Sequence, residues 1–181
     1  MIERIENDEI ILERFKNEDV ACIFEAIMLS KKEIAPWLSW LTANYNLSST
    51  KSFVQIQIKN WLDNVEYAYT IKNKSSDLLG VIALHLYDKQ NDVASVGYWM
   101  NTQHTGKGYC TQALKLMVDK LIKHLNLIRI EIIVAVSNYA SQKVAEKAGA
   151  EFEAVLKNRI LLNGLAIDAN MYAFINKKAA F

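Results

Sequence analysis

Residues that break regular structure are scarce in this chain, which has one proline and six glycines among 181 residues. Flexible linkers and low-complexity tracts are usually rich in these two residue types, so their scarcity excludes a disordered linker between two domains. The length also lies within the usual range of one domain, about 100 to 200 residues. We therefore expect a single domain that spans residues 1–181.

Neither sign of charge is in excess, because 21 Lys and Arg face 20 Asp and Glu, which leaves a formal net charge of +1. Such a chain has no overall field that attracts nucleic acid or acidic membranes. No apolar run approaches the ~18 residues of a membrane span, and the first eight residues lack the apolar core of a secretory signal. These absences predict a soluble, cytoplasmic protein without a nucleic-acid or membrane partner.

Cysteines are few as well, and the two present, Cys22 and Cys110, stand far apart in sequence. They lack the spacing of metal ligands, and one pair is a thin basis for a disulfide framework. We therefore expect a reducing setting and no metal site. What the chain does have is a globular composition, with 51% hydrophobic and 23% charged residues.

The periodicity of the apolar residues predicts strands and helices in the order βααβββαβαββ. Asn17 is expected to cap the first helix, and Asn163-Gly164 is typical of a type I′ hairpin. Strands are predicted at 10–15, 67–73, 78–87, 93–101 and 129–136 and on both sides of the hairpin turn, and the later helices at 50–63, 108–124 and 138–149.

A glycine-rich turn is predicted between a strand and a helix, where residues 100–111 read MNTQHTGKGYCT. Gly106 and Gly108 permit backbone conformations that a Cβ would block, so that successive N–H groups can point at one anion. The free N–H groups and positive dipole end of the following helix strengthen this attraction, and Lys107 adds a mobile positive charge. The turn therefore predicts a phosphate site.

Two familiar glycine motifs fit this turn poorly. A P-loop would need glycine at Asn101 and Ser or Thr at Gly108, which excludes it. A dinucleotide fingerprint would need glycine at Thr111 and more parallel strands around the turn, so that match is weak.

The turn does match the pattern QxxGxG, through Gln103, Gly106 and Gly108. The stretch VGYWMNTQHTGKGYCTQAL at 96–114 resembles motif A of the GNAT acetyltransferases. The stretch SNYASQKVAEKAGAEFEAVLK at 137–157 resembles the helix and strand that follow it in the family. The predicted element order agrees too, so the resemblance covers nearly the whole chain. It is most similar to the RimJ/RimL-type branch, which acetylates the N-termini of ribosomal proteins, including an N-terminal serine.

The resemblance implies an α/β fold with a mixed, mostly antiparallel sheet flanked by helices, and acetyl-coenzyme A as the co-substrate. It implies that the main chain of Met100 and Asn101 pairs with the pantetheine arm and that N–H groups of residues 104–109 hold the pyrophosphate. Asn138 would hydrogen-bond the pantetheine amides. The cofactor-binding residues implied in this way are Met100, Asn101, Gln103, His104, Gly106, Lys107, Gly108, Tyr109 and Asn138.

Proton transfer is the part of the chemistry for which the chain offers the fewest candidates. Ser141 would face the thioester sulfur by resemblance, and its i, i+3 spacing independently puts it on the same helix face as Asn138. It is the candidate donor to the leaving thiolate. Many family members carry glutamate at the position of Ser95, so one candidate base is missing here. Water is the expected proton acceptor, with His85 as a candidate catalytic base.

Three other residues admit two roles each. Cys110 at a helix N-terminus could form a covalent acetyl-enzyme, but relatives have small residues there, which favours packing. Trp37 and Trp40, beside a proline between two helices, are either core residues or a wall of the substrate site.

The sequence predicts an N-acetyltransferase that acts on a primary amine, foremost the N-terminal amine of a protein such as a ribosomal protein, as a monomer or homodimer. One alternative is transfer to a small amine such as a polyamine or an aminoglycoside. A polycation needs an acidic cleft, and the segment 30–49 offers only Glu33. A catalytically weak acyl-CoA-binding module also stays open, because Ser95 replaces the carboxylate.

Overall fold

The computed structural model describes residues 1–176, so residues 177–181 of the predicted single domain lie outside the described residues. The described chain forms one eight-stranded sheet with four α-helices. The helices are α1 (Val20–Ile34), α2 (Leu47–Leu62), α3 (Tyr109–His124) and α4 (Tyr139–Ala148). The strands are β1 (Arg4–Glu6), β2 (Ile10–Arg14), β3 (Tyr67–Asn73), β4 (Leu78–Asp88), β5 (Val93–Met100), β6 (Arg129–Ala135), β7 (Glu151–Leu162) and β8 (Leu165–Ile175).

The sheet has the strand order β1-β2-β3-β4-β5-β6-β8-β7. Among the strands of residues 1–176 only β5 and β6 pair in parallel, and α3 is the crossover between them. The prediction of a mixed, mostly antiparallel sheet is therefore confirmed. The closing hairpin is confirmed as well, with φ of 50° at Asn163 and 80° at Gly164.

The start of the chain differs from the prediction in two ways. Strand β1 was missed, because its three residues RIE carry no detectable period and bury only Ile5. The predicted cap at Asn17 is wrong: residues 17–19 form a 3₁₀ turn, and α1 begins after it at Val20. The carboxylate that closes this turn belongs to Asp19, whose Oδ2 accepts from the Lys16 N–H at 2.8 Å.

The second helix begins earlier than predicted. Asn46 caps α2 by accepting hydrogen bonds from the N–H groups of Ser48 and Ser49. The helix therefore begins at Leu47 rather than at the predicted residue 50, because the side-chain acceptor satisfies N–H groups that the first helical turn leaves free.

Two apolar clusters hold the helices against opposite faces of the sheet. One cluster joins α3 and α4 to residues such as Ile82 and Val96, and the other joins α1 and α2 to residues such as Val81 and Trp99. Neighbouring residues of a strand point to opposite faces, which is why alternate residues of β4 and β5 belong to different clusters. In residues 1–176 no helix is long and apolar enough to cross a membrane.

The sheet opens between β5 and β6. These strands pair at only three positions, Val93 to Ser95 with Arg129 to Glu131. Strand β5 nevertheless stays paired with β4 as far as Met100, and β6 stays paired with β8 as far as Ala135. The two halves of the sheet therefore diverge, which leaves a gap in the sheet between the C-terminal ends of β5 and β6.

Candidate active site

A pocket of about 420 Å³ lies at this opening. Its walls come from both faces of the sheet, because the opening passes between the strands. Residues of α1 and the turn after it line one side, residues at the N-termini of α3 and α4 line the other, and Tyr98 to Met100 of β5 lie between them.

The glycine turn forms one end of this pocket. Gly106 and Gly108 have φ of +76° and +81°, which L side chains rarely adopt, and a Cβ at either position would meet no atom within 4 Å. Gly108 is the N-cap of α3 without a side-chain cap, and the first helical bond is from the Gln112 N–H to the Gly108 oxygen at 3.0 Å. The N–H groups of His104 and Thr105 already donate to the carbonyls of Asn101 and Thr102, so the predicted set 104–109 is too wide. The N–H groups from Gly106 onwards in the turn remain free for an anion, which fits a pyrophosphate group.

The edge of β5 offers main-chain groups to the opening. The Asn101 N–H donates to the Leu79 oxygen at 2.8 Å, and the Asn101 carbonyl accepts from the His104 N–H at 2.9 Å. In an antiparallel pair, the main-chain N–H and C=O groups of every second residue point towards the partner strand. The Asn101 N–H points towards β4, so the main-chain groups of Met100 point away from β4 and towards the opening. The main-chain N–H of Asn101 is already bonded to β4, so the predicted pairing with the pantetheine arm depends on the main chain of Met100.

Asn138 and Ser141 lie together in the pocket wall, at the start of α4. The Asn138 Oδ1 caps the helix by accepting from the Ser141 N–H at 3.2 Å, and the Tyr98 hydroxyl donates to the Ser141 carbonyl at 2.9 Å. These bonds fix the main chain of Ser141. Within residues 1–176 its hydroxyl has no hydrogen-bond partner, so it is available to a ligand.

The two tryptophans of the inter-helix segment have different surroundings. Trp37 is half-buried and lines the pocket together with Leu38. Trp40 does not line it, and instead stacks on Phe53 of α2 with ring centroids 6.0 Å apart. Trp37 is therefore placed to contact a substrate, whereas Trp40 belongs to an aromatic cluster beside α2.

His85 lies outside the pocket lining. It stands opposite Ser95 on neighbouring strands, and its Nε2 is 3.2 Å from the Cβ position of Gly97. Burial lowers the pKa of His85, and the Glu66 carboxylate partly opposes this effect. A neutral imidazole at this place is separated from the pocket, so any contact with the acceptor would need an intervening water.

The cysteine at the start of α3 is buried. Burial raises the pKa of the Cys110 thiol to about 12, which outweighs any lowering by the helix N-terminus. The protonated thiol is a poor nucleophile, so the structure favours the packing role for Cys110.

The remaining predicted cofactor residues are divided between the pocket and the solvent. His104 and Tyr109 line the pocket, whereas the side chains of Gln103 and Lys107 are exposed outside its lining. Sequence reasoning missed Lys143 and Lys147, which line the pocket from α4. Their i, i+4 spacing was the available signal, because it puts both on one helix face.

A gap between diverging strands, bordered by a helix N-terminus with free N–H groups, fits a transferase of the acyl-coenzyme A-dependent type. The chain belongs to the acetyltransferase (GNAT) domain family, whose sequence pattern matches residues 9–151. It is thus an N-acetyltransferase with acetyl-CoA as co-substrate.

Several relatives are similar over large parts of the chain. The ribosomal-protein-serine acetyltransferase of Escherichia coli (strain K12) is 34% identical over 102 residues, which are 56% of this chain and 57% of that protein. The microcin C7 self-immunity acetyltransferase MccE, solved with acetyl-CoA and AMP, has a TM-score of 0.89 at 26% identity over 94% of each chain. RimL, the ribosomal L7/L12 α-N-protein acetyltransferase, solved with coenzyme A, has a TM-score of 0.89 at 25% identity, covering 96% of this chain and 98% of that one.

Proposed function

We propose that the acceptor is the N-terminal α-amine of a protein, with a ribosomal protein as the first candidate. The observation that carries the proposal is the charge of the pocket wall. Among residues 1–176, Glu33 is the one carboxylate that lines the pocket, and Lys143 and Lys147 line it as well. A polyamine or aminoglycoside carries several positive charges and needs several carboxylates, whereas an N-terminus brings a single cation.

The supply of neutral amine supports the same acceptor. An α-amine ordinarily has a pKa of about 7.7 to 8.0 and a lysine side chain one of about 10.4. At pH 7.5 about a third of the former but only about one in a thousand of the latter is neutral and able to attack a carbonyl. A site with few candidate bases therefore favours the α-amine over lysine.

The names of the relatives point to the same class. The E. coli protein is a ribosomal-protein-serine acetyltransferase, and RimL acts on the α-amine of ribosomal L7/L12.

On this proposal acetyl-CoA supplies the activated acyl group, and the protein positions the two substrates and neutralises their charges. N–H groups of residues 106–109 hold the pyrophosphate, and the main chain of Met100 and the side chain of Asn138 bind the pantetheine arm. Ser141 donates a hydrogen bond to the leaving thiolate, Trp37 contacts the acceptor, and water accepts the proton of the amine, with His85 in at most an indirect role.

Release of free thiol from acetyl-CoA tests the proposal. The acceptors compared are peptides with a free N-terminus, the same peptides with an acetylated N-terminus and an internal lysine, spermidine, and an aminoglycoside. We expect turnover with the free N-terminus and little with the others. Preference for spermidine, the aminoglycoside or the internal lysine would refute the α-amine assignment. Binding of acetyl-CoA without turnover on any acceptor would instead indicate an acyl-CoA-binding module.

A further inference from the structure

The charged groups of the pocket are distributed by sheet face. Lys143 and Lys147 approach from α4, on the same face as the anion-binding turn before α3. Glu33 approaches from α1, on the opposite face. The pocket is therefore suited to an anionic ligand from one face and a cationic ligand from the other.

The position of Glu33 at the end of α1 strengthens its attraction for a cation. The helix ends at Ile34, so the negative end of its dipole adds to the carboxylate charge. Lys31 and Lys32 share this last turn, but neither lines the pocket, and the Lys31 ammonium contacts the Ala43 carbonyl at 3.4 Å. Within residues 1–176 neither lysine forms an ion pair with Glu33.

Two contacts connect this helix end to the loop that follows β5. The buried Ser30 hydroxyl accepts from the Thr102 N–H at 2.9 Å. The Thr102 hydroxyl donates to the Glu33 Oε2 at 3.5 Å, which is long for a hydrogen bond. Because Thr102 lies a few residues before the glycine turn, these contacts place the end of α1, with the exposed Glu33, beside the loop that leads to that turn.

We propose that Glu33 is the specificity-determining residue that binds the charged α-ammonium of the acceptor, at the side of the opening that faces α1 and α2. This inference rests on the proposed function. One carboxylate matches one ammonium, whereas a neutral acetylated N-terminus gains nothing from it. Trp37 and Leu38 beside it contact the apolar part of the first residue of the acceptor.

The proposed role is binding rather than removal of the proton. A carboxylate beside an ammonium stabilises the charged form of the amine, so it favours capture and orientation but not deprotonation. The other titratable groups that line the pocket are Tyr98, His104, Tyr109, Cys110, Lys143 and Lys147. None of these is a carboxylate, which leaves Glu33 as the one acidic residue of the lining in the described chain.

The test is the Glu33→Gln variant, which keeps the shape of the side chain and removes its charge. The acceptor KM should rise about 5- to 20-fold, while kcat and the acetyl-CoA KM change little. Glu25→Gln is the matched control, because Glu25 is an exposed carboxylate of the same helix outside the pocket lining. Glu33→Asp should restore part of the affinity.

A second measurement separates charge recognition from a structural effect. A peptide with a trimethylated N-terminus carries a fixed cation and cannot be acetylated, and it should inhibit the wild type about 5- to 20-fold more strongly than Glu33→Gln. The Nα-acetylated peptide should inhibit both equally. Salt should weaken binding of the cationic inhibitor only in the wild type, because salt screens an ion pair that Glu33→Gln cannot form.

The outcomes distinguish the two proposals. If α-amine peptides are acetylated but Glu33→Gln leaves their KM and the trimethylated inhibitor unchanged, the role of Glu33 is refuted and the proposed function stands. If the wild type does not acetylate α-amines, the proposed function fails whatever the variant shows. Equal loss of affinity for the cationic and neutral peptides would show that Glu33 acts through structure alone.

Discussion

At the scale of single residues, Ser141 is the best-placed donor for the thiolate. Its main chain is fixed by the Asn138 side chain and the Tyr98 hydroxyl, and its own hydroxyl is available. A serine hydroxyl is a poor acid, so it would act as a hydrogen-bond donor or relay. Ser141→Ala should lower kcat about 10- to 1000-fold with little change in the acetyl-CoA KM.

Steady-state kinetics check this expectation, with Ser137→Ala as the control. Ser137 is exposed, precedes the helix cap and does not line the pocket, so its loss should leave both constants nearly unchanged. Full activity in Ser141→Ala would remove this residue from the mechanism.

Cys110 leads to a prediction about the kinetic order. The pKa of its thiol is raised to about 12 by burial, so the thiolate is negligible at neutral pH. We expect Cys110→Ala to retain most of the activity and initial-rate plots to intersect, as direct transfer in a ternary complex requires. Parallel plots, or a trapped acetyl group on Cys110, would show a covalent intermediate instead.

At the scale of elements, the turn before α3 determines whether the donor binds. Valine at Gly108 must adopt a φ of +81°, and its side chain would project where a ligand approaches the free N–H groups. Gly108→Val should abolish detectable acetyl-CoA binding in calorimetry while the fold survives.

Gly164→Val is the matched control for this substitution. Gly164 has a φ of +80° and open space at its Cβ position, but it lies in the β7–β8 turn. Both variants should lose roughly 1 to 3 kcal/mol of stability from backbone strain, and only Gly108→Val should lose the ligand. Equal binding by the two variants would contradict the assignment of the turn as the pyrophosphate site.

At the scale of the whole molecule, the pH dependence of activity should follow the acceptor rather than the protein. Burial lowers the pKa of His85, so the imidazole is neutral above the ordinary histidine range and does not titrate with an α-amine near 7.7 to 8.0. The kcat/KM for the peptide should rise with pH as the free ammonium loses its proton, and level off above the pKa of the peptide.

Two peptides with different α-amine pKa values measure this dependence. The rising limb should move with the peptide, and His85→Ala should shift it only slightly. A profile that collapses in His85→Ala, or one that does not depend on the choice of peptide, would identify a group of the protein as the base.

The single-domain organisation and the choice between monomer and homodimer stay predictions.

The sequence by itself determined the features that depend on near neighbours. Glycine, and to a lesser degree asparagine, is favoured where φ is positive, so the spacing of Gly106 and Gly108 was enough to predict the turn, and Asn163-Gly164 was enough to predict the hairpin. The helices predicted at 108–124 and 138–149 also depend on the spacing of residues along consecutive turns, and α3 and α4 lie there.

Only the tertiary structure decided which distant residues share the pocket. Trp37 and Trp40 look alike in sequence, yet one lines the pocket and the other stacks on α2, because the backbone between them turns. Glu33 and Lys143 meet the same pocket because β5 and β6 pair at three positions and then diverge. Side-chain spacing constrains residues within one helix or strand, whereas contacts across the divergence depend on how the elements pack.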